Sequence, residues 1–166
     1  MQSAIFAGSF DPWTYGHSSL LVRAAQLFSR VVVGVCVQPI HKNTLLASAV
    51  RVELVQRACS AIEGVEVKPF NGLITEFCNA QGIYPVIRGV RNAHDFQYEW
   101  EMYQHNKVLE QKIEWLLLPC DRAYTGISAS LVKEIHALGG DVSHWVNEQT
   151  IMYMDRERGR NGVKNH

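Results

Sequence analysis

Four short polar segments of this 166-residue chain carry residues that could bind an anion and act on it. In the first, Gly8-Ser9-Phe10-Asp11-Pro12-Trp13-Thr14-Tyr15-Gly16-His17, Gly8 lets backbone approach a ligand closely. The same segment leads into a helix start, where backbone N–H groups and the helix dipole favour negative charge. His17 and Ser9 can each donate a hydrogen bond to a phosphate oxygen. The second segment, Gln38 to Lys42, offers His41 and Lys42. The third, Arg88-Gly89-Val90-Arg91, sets two arginines around a glycine, and the planar fork of each can bind two phosphate oxygens. Asp95, Tyr98 and Glu99 follow it. The fourth, Tyr124-Thr125-Gly126-Ile127-Ser128-Ala129-Ser130, places hydroxyls at the start of a helix.

Each segment also has a plainer reading. His17 can cap a tight turn, a loop lysine can be merely solvated, Asp95 can hold Arg91 in a salt bridge, and serines at a helix start commonly cap it. The first segment lacks the Gly-Lys-Ser/Thr of a P-loop and is not the dinucleotide G-x-G-x-x-G pattern.

The segments can cooperate only if the fold brings them together, and the pattern of elements predicts that it does. Short apolar stretches predict strands at Ser3–Ala7, Val31–Val37, Val65–Val67, Tyr84–Ile87 and Ile113–Leu118. Helical spacing marks His17–Phe28, Ser48–Ile62, Leu73–Asn79, Asp95–Gln111, Ser128–Leu138 and Val146–Met154. Strands alternating with helices predict an α/β fold: a single Rossmann-like, doubly wound domain with a five-stranded parallel sheet and helices on both faces. In such sheets ligands bind outside the carboxyl ends of the strands, and all four segments follow a strand. Residues 1–155 make the expected domain, and the polar residues 156–166 an expected disordered tail.

Composition narrows the partners. Sixteen basic residues balance sixteen acidic ones, without the basic excess of a nucleic-acid-binding domain. No apolar run approaches the ~18 residues of a membrane span, and the first residues lack the pattern of a secretory signal. Cys36, Cys59, Cys78 and Cys120 have no metal-site spacing; three of them lie in apolar stretches and read as small core residues, a usage that suits a reducing cytoplasm. No residue is assigned to a resident metal, and none pairs with a base as a covalent nucleophile would.

Gly8-Ser9-Phe10-Asp11-Pro12 with Thr14-Tyr15-Gly16-His17 resembles the T/H-x-G-H signature shared by nucleotidyltransferases and class I aminoacyl-tRNA synthetases. Ile87–Arg91, Asp95–Glu99, Asn106 and Ile127–Glu134 narrow this: the chain up to about Met154 resembles the phosphopantetheine adenylyltransferases. The resemblance implies ATP and 4′-phosphopantetheine as substrates, dephospho-CoA and pyrophosphate as products, Mg²⁺ as cofactor, a homohexamer, and feedback by CoA. It implies catalytic roles for His17, Lys42 and Arg91, and an acceptor site of Ser9, Lys42, Ile74 and Arg88. It implies an ATP site of Ser9, Phe10, His17, Gly89, Val90, Arg91, Glu99, Tyr124, Thr125, Gly126, Ile127, Ser128, Ala129 and Ser130.

The chain departs from that pattern in three places. Gln38-Pro39-Ile40-His41-Lys42 stands for Asn-Pro-x-Lys-Lys, so either His41 or Lys42 takes the first lysine's place. Leu46 to Arg51 lacks an acidic pair before the arginine, and Ala129 interrupts a triple serine. A transferase using nicotinate mononucleotide, a cytidylyltransferase, and a non-catalytic nucleotide sensor are the other readings.

Overall fold

The computed structural model describes residues 2–40, 43–126 and 128–162. The elements run β1 (Ser3–Gly8), α1 (Tyr15–Leu27), β2 (Arg30–Cys36), α2 (Ser48–Cys59), β3 (Val65–Phe70), α3 (Ile74–Gln81), β4 (Pro85–Val90), α4 (Ala93–Leu109) and β5 (Glu114–Pro119). A 3₁₀ turn at Arg122–Tyr124, then α5 (Ala129–Ala137) and α6 (Glu148–Gly162), complete the chain. All strand pairings are parallel, in the order β3-β2-β1-β4-β5. The chain builds outward from β1 to one edge, then crosses back to start β4 on the other side. The crevice of such a fold therefore opens between the ends of β1 and β4.

β1 and β2 are continuously apolar because both of their faces are covered. Ala4, Phe6, Val31, Val33 and Val35 pack with Leu20, Leu21 and Ala24 of α1 and Val55 of α2. Their alternating neighbours Ile5, Ala7 and Val32 face the other way, toward Phe77 and Cys78 of α3. The β3 edge carries charge instead: Glu66 pairs with Arg30 and Lys68, which blunts it against further strand pairing. A third apolar cluster lies among helices, with Leu46, Leu54, Val132, Val142, Val146 and Met154 at its centre.

Three elements run well past the ends expected of them. β4 does not stop at Ile87, because Arg88, Gly89 and Val90 pair with Leu117, Leu118 and Pro119 of β5. The polar side chain of Arg88 hid a strand position at the rim. β3 likewise reaches Phe70, opposite Cys36. α6 runs to Gly162, through residues expected to form a disordered tail. Asp155–Arg158 and Glu157–Arg160 pair at i,i+3 along it, a spacing that supports a helix surface. Residues 163–166 lie outside the described residues.

Cys59 and Cys78 are buried, and burial pushes both thiols up to about 12. Cys36 and Cys120 are half-buried, and all four cysteines are free thiols.

Leu21 is fully buried against the sheet, whereas Val22, its neighbour in sequence, is 45% exposed. Leu21→Ala is expected to lower unfolding stability by about 2–5 kcal/mol, and Val22→Ala by at most about 0.5 kcal/mol. Urea unfolding of the two variants checks the contrast.

Candidate functional site

The loop between β1 and α1 is built around the helix start. Thr14 caps α1, its hydroxyl accepting from the His17 backbone N–H, while the Thr14 N–H donates to His17 Nδ1 at 3.0 Å. A backbone N–H can only donate, so Nδ1 is an acceptor and the proton of the neutral ring sits on Nε2. The capping and phosphate-donating readings of His17 are therefore compatible: the cap orients the ring with its proton on Nε2.

Phe10 holds this arrangement from the side. Its φ of 47° lies in the left-handed region, which is unusual for a bulky residue. The ring is locked there by Trp13 at 4.9 Å and Phe6 at 5.7 Å, and it meets the His17 imidazole edge-on at 5.2 Å. Gly8 makes the space, since a Cβ on it would lie 3.0 Å from the Phe10 ring.

β4 supplies the arginines. Arg88 donates through Nε and Nη2 to the two oxygens of Glu99, at 2.8 and 2.7 Å, and through Nη1 to the Ala7 carbonyl at 2.6 Å. Three of its five N–H groups are thereby used, and the other two remain for an anion. The Glu99 side chain is only 8% exposed, and Trp115 Nε1 donates to its Oε2 at 2.9 Å. Arg91 is held by Asp95 in the same two-pronged way, at 2.7 and 2.9 Å. The Arg91 hydrogen bond keeps the Asp95 carboxyl below its usual range, and that carboxylate raises the arginine in turn. Gly89, between them, packs so tightly on α1 that a Cβ would come within 2.4 Å of Leu20 Cδ1.

Arg51 braces the same rim from behind. Its buried guanidinium donates to the carbonyls of Ser9, Cys36, Val37 and Leu46. Burial lowers its pKa, against the opposing pull of Asp11.

At the far wall Ser128 caps α5 by accepting from the Leu131 N–H at 3.1 Å. A cavity of about 290 Å³ opens between these parts. It is lined by Ser9, Phe10, His17, Arg88, Gly89, Arg91, Glu99, Tyr124, Ser128, Ala129 and Ser130 from the expected sites, with Asp95, Tyr98 and Cys120 beside them. Burial raises the Cys120 thiol.

Four expected residues stand apart from this cavity. Ile74 packs at the start of α3 with the cluster that includes Phe77. Val90 ends β4 opposite Pro119. Thr125, whose hydroxyl donates to the Arg122 carbonyl, and Gly126 are not part of the lining. His41, Lys42 and Ile127 lie outside the described residues. Sequence reasoning missed the Trp115 support of Glu99 and the brace of Arg51. Neither has a local signal: Trp115 is 16 positions from Glu99, and of the Arg51 partners only Leu46 is near it in the chain.

Residues 5–135 match the family model described as cytidylyltransferase-like. A phosphopantetheine adenylyltransferase of Heliobacterium modesticaldum (strain ATCC 51547 / Ice1) is 37% identical over 159 residues, covering 96% of this chain and 94% of that one. Another, from Acidovorax sp. (strain JS42), is 41% identical over 144 residues, 87% of each. The Plasmodium falciparum nicotinic acid mononucleotide adenylyltransferase complexed with NaAD superposes with a TM-score of 0.70 at 14% identity, covering 93% of this chain and 95% of that chain. That likeness is one of fold.

The depressed Asp95 carboxyl has a consequence for stability. Its contribution is fully present above the unfolded carboxyl value of about 3.9 and is lost as pH falls through the lower, folded value. Asp95→Asn is therefore expected to lower Tm at neutral pH by roughly 2–4 °C. The gap to the parent protein should close in acid. Calorimetric melts across that pH range check both features.

Proposed function

Since this chain belongs to the phosphopantetheine adenylyltransferase family of cytidylyltransferase-like proteins, and is thus a nucleotidyltransferase, we propose that it transfers the adenylyl group of ATP to 4′-phosphopantetheine. The products are dephospho-CoA and pyrophosphate, in coenzyme A biosynthesis. The observation that carries this reading is one cavity at the β1/β4 crevice that gathers His17, Arg88, Arg91 and the Ser128–Ser130 helix start.

In this reading an oxygen of the acceptor phosphate attacks the α-phosphorus of ATP in line. The new P–O bond forms as the α–β bridge breaks and pyrophosphate leaves, with no covalent enzyme intermediate. The protein aligns the reactants and stabilises charge, as in other phosphoryl-type transfers. The His17 Nε2–H and the Arg91 guanidinium donate to oxygens whose charge grows, with Lys42 as the third donor. Arg88, Ser9 and Lys42 hold the acceptor phosphate, and Ile74 the pantetheine arm. The ATP site is formed by those residues of the implied set that line the cavity.

Among the described residues no group of three or more His, Cys, Asp or Glu is placed to hold a metal ion. The cavity carboxylates Asp95 and Glu99 are already engaged by arginines. These residues do not form a metal cage, so Mg²⁺ belongs to the proposal as the ion that accompanies the ATP phosphates, which is its usual mode with nucleotides.

CoA carries both the adenylate and the pantetheine arm, which makes it the proposed feedback inhibitor. Cytoplasmic placement rests on the free thiols. No helix among the described residues is long and apolar enough to cross a membrane.

Self-association, with a homohexamer as the proposed form, is supported by α4. Phe96, Tyr98, Trp100, Met102, Val108 and Leu109 are all exposed along it, more apolar surface than a solvated helix normally carries. In light scattering the parent protein is expected to behave as an oligomer, and Trp100→Glu to shift it to smaller species. An unchanged mass would remove α4 from the interface.

His17→Ala is expected to lower turnover about 10²–10³-fold while the fold is retained by circular dichroism. Pyrophosphate release is measured with 4′-phosphopantetheine, and separately with nicotinate mononucleotide. Near-normal turnover of the variant would remove His17 from the mechanism. Preference for the second acceptor would redirect the substrate assignment.

A further inference from the structure

One buried carboxylate outside the cavity lining ties the β1–α1 loop to the start of α5 and to the loop before α2. Asp11 is 4% exposed and is not part of the cavity lining. Its Oδ1 accepts from the Leu46 N–H at 2.9 Å, and its Oδ2 from the Leu45 N–H at 2.9 Å and from Lys133 Nζ at 2.7 Å. The Lys133 side chain is itself 23% exposed. Burying a carboxylate this deeply is costly unless it is paired and hydrogen-bonded, and here both conditions are met.

We propose that Asp11 is a positioning residue for both substrates: through Lys133 it registers the nucleotide-facing start of α5, and through the Leu45 and Leu46 amides it anchors the acceptor-facing loop between β2 and α2. This rests on the reading given under Proposed function.

The argument starts from how α5 is packed. Val132 and Ile135 bury their side chains in the helical cluster with Leu46, Leu54, Val142, Val146 and Met154, rather than on the sheet. Apolar contact of that kind is non-directional. It keeps α5 close without fixing where its first turn lies relative to His17. A charge-assisted hydrogen bond to a short, rigid loop does fix it. Lys133 follows Ala129 and Ser130 by four and three residues, so it shares their helix face, and both of those residues line the cavity.

The other arm of Asp11 reaches the loop that carries Lys42, three residues before Leu45. Arg51 complements it, tying the Ser9 carbonyl to Cys36, Val37 and Leu46. The lysine arm can be cut alone, because only that arm runs through a side chain other than that of Asp11.

Lys133→Met keeps the stem and removes the charge, leaving the amide arm in place. Asp11→Asn weakens both arms. MgATP binding is measured by titration calorimetry on the full chain, alongside steady-state kinetics with ATP and 4′-phosphopantetheine and a thermal melt of each variant. For Lys133→Met, Kd and KM for MgATP are expected to rise about tenfold, with KM for the acceptor within about twofold. For Asp11→Asn both are expected to rise. The double variant should bind MgATP no worse than Asp11→Asn alone.

Wild-type MgATP affinity in Lys133→Met would overturn the proposal. So would equal losses for both substrates in step with a fall in Tm, which would mark the pair as structural only. If Asp11→Asn fails to fold, Lys133→Met decides. If the parent protein binds MgATP but does not turn over 4′-phosphopantetheine, the functional reading fails, while the calorimetry still judges the α5 arm.

Discussion

Carbonyl groups at the carboxyl rim of a parallel sheet must find donors beyond the last ladder bond, because a buried backbone acceptor without a partner is costly. Here two arginines provide those donors, and the site depends on it. Arg51 takes the carbonyls of Ser9, Cys36 and Val37, and Arg88 takes that of Ala7. The ends of β1 and β2 are thus stitched by side chains rather than by another strand. The β1–α1 loop can then leave the sheet abruptly and set Thr14 and His17 at the start of α1. Arg88 does two jobs from one position, closing the rim and presenting its remaining N–H groups to the crevice.

The arginines at the crevice are also neutralised before any ligand arrives. Glu99 and Asp95 each grip a guanidinium with both oxygens. This limits the excess positive charge of the cavity, and it fixes the planes of the guanidinium groups. Preorganised donors of this kind stabilise developing charge without having to reorient during reaction. Trp115 extends the support by one layer, since its indole N–H holds the Glu99 oxygen that also accepts from Arg88.

Much of this was legible in the chain. The unbroken Val31-Val32-Val33 run marks a strand buried on both faces, and Gly82 marks the end of α3, where it takes up a left-handed φ of 64°. The four polar segments could be placed because their offsets from the strands are short. The hidden parts are those in which tertiary contact overrides local preference. Arg88 looks like a loop residue and is a strand residue, because its charge meets Glu99 rather than water. Phe10 gives no sign of its left-handed backbone, which accompanies a ring surrounded by Phe6, Trp13 and His17. Asp11 and Lys133 are 122 positions apart, and no periodicity connects them. In α6 the polar composition suggested disorder, whereas ion pairs at helical spacing continue the helix.

The close approach of α1 to β4 at Gly89 acts as a ruler for the cleft. Leu20 occupies the place where any other residue at 89 would put its first side-chain carbon, and His17 stands one turn before Leu20 on the same helix. The span from imidazole to arginine is therefore gauged by an absent methyl group. The width of the cleft beside the imidazole is thus set by apolar packing between α1 and β4, at two residues that themselves form part of the cavity wall.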